Sequence, residues 1–224
     1  HDIKNTVTVK TEKLFSYGFM CIFVGVMLSV FQQAVGINAV LYYAPRIFQD
    51  MGMGNPMVQT VIMGVVNISF TLVAVFTVEK LGRKPLLILG SIGMAVGALG
   101  VALTFGNAAL STVTMISIMV YSASFMFSWG PIAWVLIAEL FPNTIRGAAV
   151  AIAVAFQWIF NFIVSSTFVP MFNMHLTPGD DFGHWFTYGL YGVICILAAI
   201  FVWKLVPETK GKTLEDMSKL WRKE

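Results

Sequence analysis

Charge is scarce in this chain of 224 residues, and the places where it is missing are informative. No Asp, Glu, Lys or Arg occurs in Phe15–Pro45, Met51–Val78, Pro85–Ala138, Gly147–Gly179 or Phe182–Trp203. Only 11% of residues are charged, against roughly a quarter in ordinary soluble domains, while 58% are hydrophobic and the mean hydropathy is +0.80. A soluble globular domain is thereby excluded. Each uncharged stretch holds at least one helix of the ~20 apolar residues that a bilayer requires. Pro85–Ala138 is long enough for two, with Gly106 and Asn107 marking the bend between them.

Cysteine is almost absent as well. Cys21 and Cys195 both sit in apolar stretches, which reads as packing rather than a disulfide or metal framework. His1, His175 and His184 lie at the terminus or in the outer loop, with no zinc-ligand spacing and no nucleophile set beside a base. No catalytic residue, metal or other cofactor is expected, and the chain does not read as an enzyme. Asp180 and Asp181 share that loop and read as solvated. The chain begins with His1, carries no cleavable signal pattern, and is expected to be a piece of something longer.

The fold class expected is an all-α membrane protein, a six-helix transmembrane bundle. Its spans are Phe15–Tyr43, Met57–Val78, Pro85–Thr104, Thr112–Ile137, Gly147–Met171 and Trp185–Val206. Strands are disfavoured, because barrel strands alternate over ~10 residues whereas these runs are unbroken. Residues 1–14 read as a cytoplasmic linker, 15–206 as the transmembrane domain and 207–224 as a charged cytoplasmic tail with a short surface helix from Thr213. Of the 14 Lys and Arg residues, all but Arg46 fall on one side of this topology. Basic flanks are retained in the cytoplasm, so both termini are expected there. The net charge of +3 then marks topology, and no nucleic-acid partner is implied.

The spans fall into two triplets, and the first span of each carries helix-weakening residues: Gly36 in one, Gly130 and Pro131 in the other. Proline removes a backbone hydrogen bond and clashes with the preceding turn. Interrupted helices at corresponding places in two repeats point to a midplane binding site. The alternative is that Gly36 and Gly130 only permit close helix packing.

Buried amides add to the pattern, because an unpaired polar group in hydrocarbon costs several kcal/mol. Gln32, Gln33 and Asn38 bracket the first break, Asn67 lies in the second span, and Gln157, Trp158 and Asn161 cluster in the fifth. An amide both donates and accepts, matching a neutral hydroxyl. Trp134 and Trp158 supply apolar faces of the kind that pack on the C–H face of a pyranose. The alternative for the amides is hydrogen bonding between helices. At the inner face, Glu79, Arg83, Lys84, Glu139 and Arg146 form a compact set of opposite charges suited to a latch. Positive-inside anchoring alone accounts for the basic members, though less well for Glu139.

Several strings in the sequence carry a family resemblance over nearly the whole chain. Gln32-Gln33-Ala34-Val35-Gly36-Ile37-Asn38, followed by Leu41-Tyr42-Tyr43-Ala44-Pro45, resembles the seventh helix of the sugar porter branch of the major facilitator superfamily. Leu81-Gly82-Arg83-Lys84-Pro85 is similar to that family's loop between helices eight and nine. Trp129-Gly130-Pro131 through Trp134, Glu139, Pro142 and Arg146-Gly147 resembles its tenth helix and exit, and Pro207-Glu208-Thr209-Lys210-Gly211 the segment after its twelfth. The wording around Trp129, Phe141–Gly147 and Gln157-Trp158 is nearest the bacterial D-xylose/proton branch, with glucose carriers as near relatives.

The resemblance implies the carboxy-terminal half of a major facilitator fold, with two inverted three-helix repeats, in a bacterial inner membrane. It implies sugar contacts at Gln32, Gln33, Asn38, Asn67, Trp134, Gln157 and Trp158, with Tyr42 near the outer gate. An inner latch would involve Arg83, Glu139 and Arg146, and the breaks at Gly36 and Gly130-Pro131 would hinge. Transport of a pentose or hexose by alternating access would need the amino-terminal half, or another copy, to complete the cavity. An orphan membrane domain that binds other helices without moving solute is the competing expectation.

Overall fold

Unbroken apolar sequence flanked by charge folds here into helices and, among the described residues, no strand. The computed structural model describes residues 14–50, 55–177, 181–212 and 214–221. Most of the linker expected over 1–14, Asp180, and the start of the tail helix at Thr213 lie outside them. The helices are α1 (Phe19–Ala34), α2 (Ile37–Asp50), α3 (Pro56–Leu81), α4 (Arg83–Thr104), α5 (Ser111–Phe127), α6 (Trp129–Leu140), α7 (Arg146–Phe172), α8 (Phe182–Leu205) and α9 (Leu214–Trp221). With α1–α2 and α5–α6 each counted as one interrupted span, six are long and apolar enough to cross a membrane.

Local chemistry sets the ends. Asn55 Oδ1 accepts the amide of Met57 at 3.0 Å, with Pro56 in the first turn of α3. Gly82, at φ +92°, both ends α3 and starts α4. The bend after α4 falls at Gly106 (φ +85°), and Asn107 accepts the amide of Ala109 at 3.0 Å to open a short 3-10 turn. Several helices overrun the expected spans, because a window of apolar residues stops at the first charge and helix geometry does not. α2 continues through Pro45 and Arg46 to Asp50, where Arg46 Nε lies 3.9 Å from Asp50 Oδ2. α3 takes in Glu79 and Lys80, and α4 starts at Arg83.

Gly90, Gly93, Gly97 and Gly100 recur at helical spacing along one face of α4 and let α5 approach closely. A Cβ on Gly97 would lie 2.6 Å from the backbone nitrogen of Tyr121, and one on Gly100 2.6 Å from Ser117 Oγ. On its other side α4 packs against α8, so it forms the spine of the bundle, and α1 packs on α7.

The first break is where the sequence places it, with Gly36 at φ +86° and the Tyr191 ring filling the space a side chain would need. The close-packing alternative therefore applies to Gly36 together with the break. The second break differs from expectation: it falls at Ser128 (φ −133°, ψ −85°), ahead of Gly130 and Pro131. A proline ring clashes with the carbonyl four residues earlier, here Phe127, so α5 stops there. α6 restarts with Pro131 in its first turn, where no intrahelical donor is needed. At Gly130 a Cβ would meet nothing closer than 3.4 Å, so close packing does not explain that glycine.

Gly97→Ala is expected to lower the thermal midpoint in detergent by an amount equivalent to about 1–3 kcal/mol, as overpacking does elsewhere. Gly64→Ala should not, since no atom lies within 4 Å of a Cβ there. Equal midpoints in a thermal unfolding series would contradict the account of α4 as a close-packed spine.

Candidate functional site

Both breaks face one cavity of about 490 Å³, within the range typical of small-molecule sites. Gln32 and Gln33 of α1, Asn38 and Tyr42 of α2, Gly130, Pro131 and Trp134 of α6, and Gln157, Trp158 and Asn161 of α7 line it. Thr71, Phe125 and Met126 also contribute, and none of these stood out in the sequence. Thr71 lies one helical turn beyond Asn67, so the 3.6-residue period pointed toward it. Phe125 and Met126 are apolar residues among apolar residues and carried no signal.

A chain of amides holds the cavity together. Gln32 Nε2 donates to the carbonyls of Trp129 at 3.0 Å and Gly130 at 3.4 Å, and Gln157 Nε2 donates to Gln32 Oε1. Gln33 Oε1 accepts from Asn38 Nδ2 at 2.6 Å and from Asn161 Nδ2 at 2.9 Å. The Gln32 amide is thus nearly spent on its neighbours. Gln157 Oε1 is different: it is buried and has no hydrogen-bond partner among the described residues. A buried acceptor left unmet costs about 1–3 kcal/mol, so this oxygen favours a ligand that brings a donor.

The indoles complete the wall. Trp134 is 45% exposed and Trp158 61% exposed, so both rings stand open toward the cavity mouth. Tyr42 is likewise exposed, near the middle of α2. The fully buried Trp129 plays another part, its Nε1 donating to Ser91 Oγ at 2.7 Å and lying 3.2 Å from the Leu87 carbonyl. Asn67 stands apart from the lining: its Oδ1 accepts from Ser122 Oγ of α5 at 2.7 Å, as the helix-to-helix alternative describes.

The charged set lies where α3 ends, α4 begins and α6 ends. Arg83 bridges two carboxylates, with Nη2 2.9 Å from both Glu139 Oε1 and Glu79 Oε1 and Nε 3.2 Å from Glu139 Oε2. Thr209 Oγ1 donates to Glu139 Oε2 at 2.6 Å. Arg146 is not a member: its Nε donates to the Phe141 carbonyl at 3.2 Å, and its buried Nη2 has no partner among the described residues. Its side chain thus bonds back to the junction after α6. Sequence reasoning also missed Glu208, whose carboxylate accepts the amides of Arg83 at 3.1 Å, Lys84 at 3.0 Å, Thr209 at 2.9 Å and Lys210 at 2.9 Å. An anion at the amino end of α4 suits the helix dipole.

The family model described as "Sugar (and other) transporter" matches residues 1–221. The chain belongs to the sugar transporter family. Within that family it is 50% identical over 214 residues to the D-xylose-proton symporter of Escherichia coli, covering 95% of this chain and 43% of the relative. It is 41% identical to the glucose facilitated diffusion protein of Zymomonas mobilis, covering 93% of this chain and 44% of the relative. A crystal structure of a double tryptophan mutant of XylE matches with a TM-score of 0.87 at 49% identity, covering 95% of this chain and 45% of that one. The helical bundle is thus part of a major facilitator fold, and the chain spans less than half the length of these relatives.

In this member of the family, Arg83→Ala is expected to lengthen and broaden the distance distribution between spin labels at the carboxy-terminal ends of α3 and α6. A distribution identical to the parent's would show that the Arg83–Glu139 pair does not hold those ends together.

Proposed function

We propose that this chain is the sugar-gripping half of a transporter that moves a pentose or hexose across a bacterial cytoplasmic membrane, with D-xylose as the first candidate and glucose as the alternative. What carries the reading is one cavity in which amides from α1, α2 and α7 converge beside two open indoles, with Gln157 Oε1 buried and unmet. A sugar hydroxyl donates to that oxygen while the ring's C–H face packs on Trp134 or Trp158. Gln33, Asn38 and Asn161 offer their remaining donor and acceptor positions to the other hydroxyls, and Gln32 keeps the lining in register. Asn67 acts behind this layer by fixing α3 against α5.

The cavity is open on one side, which favours a second six-helix half, or another copy, that completes it and rocks against it. Tyr42 sits at the outer gate, and Gly36 with the Gly130-Pro131 segment provides the flexing points. The Arg83–Glu139 pair closes the inner side in one state and parts in the other. Both termini lie in the cytoplasm, where the basic residues collect. Proton symport fits the relatives' chemistry, but no Asp or Glu interrupts the apolar core of any span. A proton-carrying carboxylate therefore comes from the other half.

With both halves present, Gln157→Ala and Trp134→Ala are each expected to raise the Kd for D-xylose at least tenfold, about 1.4 kcal/mol. Equilibrium binding by calorimetry measures this, and unchanged affinity in both variants would remove the site. Labelled xylose uptake into proteoliposomes should be nil for this chain alone and appear on addition of its other half. Uptake by the chain alone would overturn the two-half requirement.

A further inference from the structure

We propose that Tyr121 is a positioning residue for the sugar site, keeping the α1–α2 break open by occupying the Val35 carbonyl; this rests on the reading above. In a continuous α-helix the carbonyl of residue 35 accepts the amide of residue 39. Here the bonding stops short of that. Val35 N donates to the Phe31 carbonyl at 3.2 Å, Gly36 N turns back to the Gln33 carbonyl at 2.9 Å, and Val40 N donates to the Gly36 carbonyl at 3.2 Å. The Val35 carbonyl is left over. Val35 is fully buried, so water does not reach it, and the Tyr121 hydroxyl of α5 donates to it instead.

Tyr121 has little freedom to withdraw. It is fully buried, and Gly97 of α4 packs directly against its backbone nitrogen and its Cβ. The Tyr191 ring of α8 fills the space beside Gly36. Two rings from different spans therefore grip the break, and Phe125, one turn beyond Tyr121, reaches the cavity itself.

The break matters because of where it sends side chains. At about 100° per residue, positions five apart on an unbroken helix point about 140° away from each other. Gln33 and Asn38 are five apart, yet they line one cavity and share a hydrogen bond of 2.6 Å. Only an interrupted helix does this. With the Tyr121 hydroxyl on the Val35 carbonyl and the Ala39 amide off it, Gln33 and Asn38 face the cavity together.

The test uses the transporter with both halves present and compares Tyr121→Phe, which keeps the ring, with Gln157→Ala. Tyr121→Phe is expected to raise the Kd for D-xylose about tenfold and to slow hydrogen exchange at the Ala39 amide, which gains the freed carbonyl. A generally loosened fold would speed that exchange, so the second readout separates positioning from mere stability. If Tyr121→Phe does not fold, the parent protein decides: its Ala39 amide is expected to exchange faster than the neighbouring Val40 amide, which is bonded to the Gly36 carbonyl, and equally slow exchange at both overturns the proposal. A Kd within twofold of the parent, or exchange at Ala39 that is unchanged or faster, overturns the proposal when Gln157→Ala still weakens binding. If Gln157→Ala leaves binding intact as well, the sugar site itself is misassigned, and this inference falls with it.

Discussion

A helix interrupted inside a membrane frees backbone carbonyls that no water can reach, and the protein must supply their donors. At the first break the Val35 carbonyl is met by Tyr121, and beside it stands Gln32, which reaches the first turn of α6 past the second break. Its two N–H groups turn toward the carbonyls of Trp129 and Gly130, and its oxygen takes the amide of Gln157. One side chain thereby ties α1, α6 and α7 around a common space. The polar lining of the cavity thus also ties helices across both breaks, which is why ligand-facing groups and structural groups are interleaved so closely.

Around this interior the helices pack closely where glycine permits contact and change course where they are interrupted. The glycine face of α4 brings α5 against it at backbone distance, and Trp129 is pinned to α4 through Ser91. The segments beyond the breaks, α2 and α6, bury apolar faces of their own, with Val40 and Ile47 on one and Leu136 and Ile137 on the other. Directional bonds add to that packing: α6 is tied through Gln32 and the Glu139 carboxylate, and α2 reaches Asn173 through Arg46 at 3.2 Å.

Most of the architecture was legible because membranes impose it in composition: a span cannot carry charge, so the gaps in charge outlined the helices. The ends were less legible, as with α2 running on to Asp50, because a charged residue at a helix end is tolerated by helix geometry. Gln33, Asn38, Gln157 and Trp134 stood out since amides and indoles are conspicuous against apolar sequence, and they share one cavity. Asn67 and Arg146 looked alike in sequence to their neighbours, and only the direction of each side chain separated them from the lining and from the ion pair. Phe125 and Met126 were indistinguishable from lipid-facing residues. Tyr121 was hidden for a similar reason, since its role depends on a backbone carbonyl from a distant span.

The carboxylate of Glu208 takes four main-chain amides, two from the start of α4 and two from its own segment. Pairs of exposed side-chain charges weaken as salt rises. This junction anchors one charge to peptide groups that hold no counter-charge to screen, so the tail stays clasped to the bundle in dilute and concentrated media alike. Whatever motion carries α8 must then carry the base of α4 with it, and the two travel as a single lever.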